Sequence, residues 1–241
     1  EIGSGLVGSE MCIRDSYYCI NAPMFTRVRH IAFNTEAERQ LCRSVFGQFL
    51  APNSIVGCGI EMAPEAEWSG VKAKYELPDE YVLYLGRVSK AKVDKLLPYF
   101  LRCKAKYGGD AKLVLVGGFE NEIRKFDSPD ILFTGYVSDE EKTAIVRHAT
   151  VMVNPSPMES LSLLMLEGMQ SRIPLLVNGR SKVMKDHCRL SGAGLWYNNG
   201  RDFRKKLHRL LSDPELRRTM SEKGPAYVRA VSYTHLTLPT T

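Results

Sequence analysis

The chain has 241 residues, 44% hydrophobic and 25% charged, with a formal net charge of +6, an ordinary globular composition that suffices for one large domain or parts of two. No apolar run approaches the ~20 residues of a membrane helix, and the six cysteines show no paired spacing, so neither a disulfide framework nor a zinc knuckle is indicated and a reducing, cytoplasmic compartment is expected. Lysine and arginine are dispersed rather than clustered, which gives no sign of a nucleic-acid surface and admits a nucleotide or a lipid surface as an anionic partner.

In chain order, His30 to Thr35 reads as a strand ending in a polar pair. Glu36 to Phe46 follows as a short helix, with Thr35 as N-cap and Glu38 at the capping-box position. Ser54 to Ile60 is a strand with a glycine-marked turn. Between Glu61 and Pro78 the composition shifts to Pro, Glu, Lys and Gly without periodicity, which predicts a loop or linker.

From Glu80 onward strands and helices alternate. Tyr81 to Leu85 is a buried strand stopped by Gly86-Arg87, and a helix is predicted over Val93 to Tyr107. Lys112 to Val116 is a second strand, ended by Gly117-Gly118, and Ile131 to Phe133 a third, ending at Gly135-Tyr136-Val137. Ser138, with Asp139, Glu140 and Glu141 behind it, opens a helix that runs to His148. Val151 to Val153 is a further strand, followed by Pro155-Ser156-Pro157 and an almost wholly apolar helix from about Leu161 to Met169. Leu175 to Val177 is the next strand, and Gly194 to Tyr197, Asp202 to Leu211 and a last helix toward Ala230 complete the pattern. This alternation predicts an α/β fold, a doubly wound Rossmann-like parallel sheet with ligands beyond the carboxyl ends of its strands.

The chemistry-bearing positions fall after strands. Glu159 and Glu167 frame the apolar helix; if the helix held both, their Cα atoms would stand about 12 Å apart along its axis, suited either to two contacts on one extended ligand or to a helix-surface charge and a first-turn residue favoured by the helix dipole. Unpaired amides of Ser162, Leu163 and Leu164 would face a phosphate at the helix start. Arg87 and Lys92, after the first large strand, are a guanidinium and an ammonium suited to a diphosphate, with Lys90 and Lys95 as competing cations. Gly117-Gly118 either lets amides approach a phosphate or is a plain turn. His187-Cys188 lacks a partner spacing for a metal, and His148 is a dipole-compatible helix end.

Taken together, Pro155-Ser156, Glu159, Glu167-Gly168-Met169 and the following Pro174-Leu175-Leu176-Val177-Asn178-Gly179 resemble the E-x7-E signature of the GT4 family of retaining glycosyltransferases, glycosyl transferases group 1. Gly86-Arg87 with Lys92 is similar to the family's Gly-Arg…Lys motif, although Val93 stands where a glycine is usual. Ser160-Leu161-Ser162-Leu163 replaces a more Gly-rich run. The resemblance implies the C-terminal, donor-binding half of a GT-B fold. It implies transfer of a sugar from a nucleotide diphosphate sugar with retention of configuration and no metal. Arg87 and Lys92 would hold the diphosphate and stabilise the departing charge, Glu159 the donor sugar and Glu167 the ribose. Gly86, Gly117, Tyr136, Val137, Ser162 and Leu163 would complete the nucleotide site, with Tyr136 and Val137 at the base. The acceptor, whether sugar, lipid or other, is not legible, nor are the sugar and base. Peripheral association of a full-length protein with the inner face of a membrane is compatible with the resemblance.

Two readings of another class stand beside this one. A nicotinamide-dependent oxidoreductase needs G-x-G-x-x-G after the first strand, which Gly86-Arg87-Val88-Ser89 does not supply. A non-catalytic nucleotide-binding module needs only the cleft. Residues 1–16 and 231–241 resemble translated sequencing-adapter sequence and are set aside as non-native. On this reading 17–51 is the tail of the N-terminal domain, 52–230 is the nucleotide-sugar-binding domain, and the chain is a fragment expected to be inactive alone.

Overall fold

The computed structural model describes Pro23 and residues 27–46, 51–120, 128–159 and 161–232. The described residues form two compact units divided after Cys58. In the smaller, β1 (Ile31–Phe33) pairs in parallel with β2 (Asn53–Ile55), and α1 (Glu36–Phe46) connects them. Thr35 caps α1 through its hydroxyl, which accepts from the Glu38 amide at 3.0 Å, while the Glu38 carboxylate accepts from the Asn34 amide at 2.8 Å. The division therefore falls later than the boundary at 51/52 read from the sequence, because β2 is ordered by pairing with β1.

The larger unit is a six-stranded parallel sheet in the order β5-β4-β3-β6-β7-β8. Its strands are β3 (Tyr81–Leu85), β4 (Lys112–Val116), β5 (Ile131–Gly135), β6 (Val151–Asn154), β7 (Leu175–Asn178) and β8 (Gly194–Tyr197). Renumbered from its own first strand, this is the 3-2-1-4-5-6 order of a doubly wound Rossmann sheet, as the alternation predicted.

Strands covered on both faces read as unbroken apolar runs, and β3 is buried at every position. Its alternation divides the core. Tyr81, Leu83 and Leu85 face α5 (Asp139–Arg147), α6 (Leu163–Gln170), α7 (Lys182–Ser191) and part of α9 (Pro214–Ser232). Val82 and Tyr84 face α4 (Leu96–Tyr107) and α8 (Gly200–Ser212) through Phe100, Phe203 and Leu207. Truncating the fully buried Leu83 to alanine should cost about 3 kcal/mol.

Caps set the helix starts. Ser138 accepts from the Glu141 amide and Glu141 from the Ser138 amide, a complete capping box. Asn199 caps α8 through the Asp202 amide at 3.0 Å.

Three expected elements differ. The stretch 61–78, read as loop, holds α2 (Trp68–Lys74), whose N-cap is Glu67. The helix predicted over 93–107 is two pieces, α3 (Lys90–Val93) and α4, separated by a turn at Asp94 and Lys95. The last helix runs through Val231 and Ser232, the first two residues of the segment read as adapter-derived; residues 1–16 and 233–241 lie outside the described residues. No helix among the described residues is long and apolar enough to cross a membrane.

Candidate functional site

The order β4-β3-β6 creates a switch point. From β3 the chain winds outward through β4 and β5, then returns to the other side of β3 for β6. The loops leaving β3 and β6 consequently diverge and leave a crevice at the strands' carboxyl ends. A cleft of about 250 Å³ lies there, walled by Gly86, Arg87 and Lys92 on one side and by Asn154, Glu159, Ser162 and Leu163 on the other.

Asn154, at the end of β6, organises the second wall. Its Oδ1 accepts from the Ser156 amide at 3.0 Å, and its Nδ2 donates to Ser162 Oγ at 3.1 Å. Ser162 is the N-cap residue of α6, yet its hydroxyl makes no capping bond because it serves Asn154. The first-turn amides of Leu163 and Leu164 are left facing the cleft without a side-chain cap, an arrangement that favours an anion. Asn178, the matching residue on β7, donates from Nδ2 to the Pro155 carbonyl at 2.9 Å and so ties the loop to the neighbouring strand. Neither asparagine was singled out from sequence, although both strands end in one.

Opposite, Tyr84 forms the floor and its hydroxyl donates to the Arg87 carbonyl at 2.9 Å, fixing the turn that carries the guanidinium. Burial first, and the Glu159 charge second, push the Tyr84 phenol up to about 12, so it stays a neutral donor. Lys92 Nζ stands 3.7 Å from Glu159 Oε1 across the cleft, with both side chains partly solvated. A partly solvated pair at this distance is weak.

The structure thus brings together Gly86, Arg87, Lys92, Glu159, Ser162 and Leu163. It does not place Gly117, Tyr136, Val137 or Glu167 on the same walls. Of the two readings of Gly117, its N–H fits the plain turn, since it donates to the Gly135 carbonyl at 2.9 Å. Its φ is 130°, and a Cβ there would overlap the Gly86 carbonyl; glycine is required for the close approach of the turns after β3 and β4. Tyr136 is 87% exposed on the edge-strand side, beside Gly118, and Val137 packs partly into the core. Since α6 starts at Leu163, Glu159 belongs to the loop and the 12 Å axial spacing does not apply. Glu167 is only 8% exposed. Its Oε1 accepts from Lys142 Nζ of α5 at 3.3 Å, and its Oε2 is buried without a partner among the described residues.

His187 is buried, with Nδ1 2.7 Å from the Tyr227 hydroxyl, and burial lowers its pKa to about 4. Cys188 is fully buried and its thiol is pushed up to about 12. His148 ends α5, as read from sequence, and also stacks on Trp68 with ring centroids 3.9 Å apart. Among the described residues no His, Cys, Asp and Glu cluster is placed to hold a metal.

Comparison with known proteins agrees with this architecture. The family model for glycosyl transferases group 1 matches residues 70–227. An alpha-D-kanosaminyltransferase of Streptomyces kanamyceticus is 30% identical over 174 residues, covering 66% of this chain and 44% of that protein. An uncharacterized glycosyltransferase of Methanocaldococcus jannaschii is 28% identical over 128 residues, 52% of this chain and 35% of its own length. Among solved structures, sucrose-phosphate synthase from Thermosynechococcus elongatus superimposes with a TM-score of 0.73 at 19% identity, over 90% of this chain and 57% of that one. The chain spans less than half the length of both curated relatives. With the family match covering more than half of the chain and all six strands of the sheet that carries the cleft, the chain belongs to the glycosyl transferases group 1 family.

Proposed function

We propose that the chain is the donor-binding half of a glycosyltransferase that takes a sugar from a nucleotide diphosphate sugar and transfers it with retention of configuration. The observation that carries this reading is the convergence of Arg87, Lys92 and the uncapped start of α6 on one cleft at the switch point. The pyrophosphate rests against the amides of Leu163 and Leu164, with the Arg87 guanidinium opposite. Lys92 exchanges Glu159 for a phosphate oxygen. That exchange leaves Glu159 to accept from a hydroxyl of the donor sugar. As the glycosidic bond to the diphosphate breaks, charge accumulates on the leaving oxygen, and fixed amide dipoles and two cations stabilise it without reorganisation. The nucleoside extends toward β5, where Glu167 takes the ribose hydroxyls and Tyr136 and Val137 meet the base. In this reading the isolated chain binds the donor without turning it over.

Calorimetric titration with UDP, GDP and ADP tests the assignment. At least one should bind the wild-type chain. Arg87→Ala should weaken that binding at least tenfold, and Glu167→Ala should weaken it while leaving inorganic pyrophosphate unaffected. Absence of binding by all three nucleotides, or an Arg87→Ala variant that binds as wild type, would overturn it.

A further inference from the structure

Next to the donor cleft, at the carboxyl ends of β7 and β8, lies a second recess of about 340 Å³. The two are continuous: both include Lys92 and Pro155. Lys92, Lys95 and Arg180 enter the recess, and Asp94 is the single carboxylate among its lining residues. Lys92 has Glu159 at 3.7 Å. Lys95 and Arg180 make no side-chain ion pair or hydrogen bond among the described residues, whereas Lys206, on the helix after β8, is matched to Asp202 at 3.0 Å.

The backbone under Arg180 is tied down. Its amide donates to Asn178 Oδ1 at 3.1 Å, and the same asparagine holds the Pro155 carbonyl. At Gly179 a Cβ would stand 2.7 Å from Asn198 Oδ1, so the β7 and β8 loops are in close contact. The turn carrying Arg180 is therefore braced against both the donor-cleft loop and β8. An unmatched guanidinium and ammonium on a braced backbone exceed what a neutral sugar requires and suit a phosphate or carboxylate.

We propose that this recess is an anion subsite, taking the phosphate or carboxylate of a charged sugar beside the donor's diphosphate; the proposal rests on the donor-site reading above. The charged sugar is either the one being transferred or the acceptor, and both present the same chemistry to Lys95 and Arg180.

The test uses the 241-residue chain and its Lys95→Ala/Arg180→Ala variant, both side chains being exposed. Glucose 6-phosphate and glucose are titrated by calorimetry, each with and without the best-binding nucleoside diphosphate, and UDP-glucuronic acid is compared with UDP-glucose. An acceptor anion predicts that glucose 6-phosphate binds at least tenfold more tightly than glucose and that the double variant removes the difference. A donor anion predicts the same pattern for the glucuronic acid conjugate. In either case nucleoside diphosphate affinity stays within twofold. If neither charged sugar is preferred over its neutral counterpart, or if the preference survives the double substitution, the subsite is refuted. Failure of all nucleotides to bind would instead strike the donor-site reading, while the nucleotide-free glucose 6-phosphate titration still judges the recess.

Discussion

Lys142 Nζ stands 3.3 Å from Glu167 Oε1, joining the helix after β5 to the helix after β6 around a largely buried carboxylate. Breaking such a pair on one side leaves an uncompensated charge, which costs more than the pair contributes. Lys142→Met should therefore lose about 3 kcal/mol of stability in urea denaturation. Adding Glu167→Leu should restore most of it. Equal stability of Lys142→Met and wild type would show that Glu167 is solvated in solution.

Two glycines separate backbone collision from side-chain adjustment. A methyl at Gly117 would overlap the Gly86 carbonyl at a φ of 130°, and neither side can move without opening the sheet. Gly117→Ala should cost about 3 kcal/mol or more. At Gly168 the nearest atom is Met152 Sδ at 2.7 Å, on a side chain that can change rotamer, and Gly168→Ala should cost about 1 kcal/mol. Thermal melting of the two variants checks the order.

Asn154→Ala removes the bond from the Ser156 amide within the loop and the bond to Ser162 that ties β6 to the start of α6. A loss of about 2 kcal/mol is expected from two hydrogen bonds, together with weaker nucleoside diphosphate binding as the Ser162 end loosens. Isothermal titration and chemical denaturation on the same sample separate the two effects.

Acid should weaken the fold through His187. Its folded pKa is lowered to about 4 by burial, against 6.5 in the unfolded chain, with Asp186 opposing the shift slightly. The folded state then binds fewer protons than the unfolded one between those values. Stability is complete above pH 6.5 and falls as pH drops toward 4, by about 3 kcal/mol in total. His187→Gln should flatten the profile in this window, and urea midpoints at pH 4.5, 5.5 and 7 read it directly.

Glu159→Gln keeps the shape of the cleft wall and removes the charge opposite Lys92. In the proposed mode the substitution frees Lys92 for the diphosphate, so affinity for a nucleoside diphosphate should hold or rise. Affinity for the corresponding nucleotide sugar should fall several-fold. An equal effect on both ligands would place Glu159 at the phosphates.

The sheet was legible because parallel strands covered on two faces must be apolar throughout. Tyr81 to Leu85 and Leu175 to Val177 could be little else, and the Ser138 cap is equally local. Helix α2 was not legible. Glutamate is an unusual cap and Gly70 disfavours a helix, yet tertiary contacts hold it: Val71 enters the core, Trp68 stacks on His148, and Tyr75 donates to Glu141 at 2.9 Å. Arg87, Lys92 and Glu159 were picked out as candidates by their places after strands together with the family resemblance. Only strand order brings them into one cleft, since β6 returns to the side of β3 opposite β4. The orientation of Glu167 and the bridging by Asn154 were likewise settled by folding. Sequence patterns record local periodicity and capping, whereas the partner of a polar side chain depends on which distant segments the sheet places next to it.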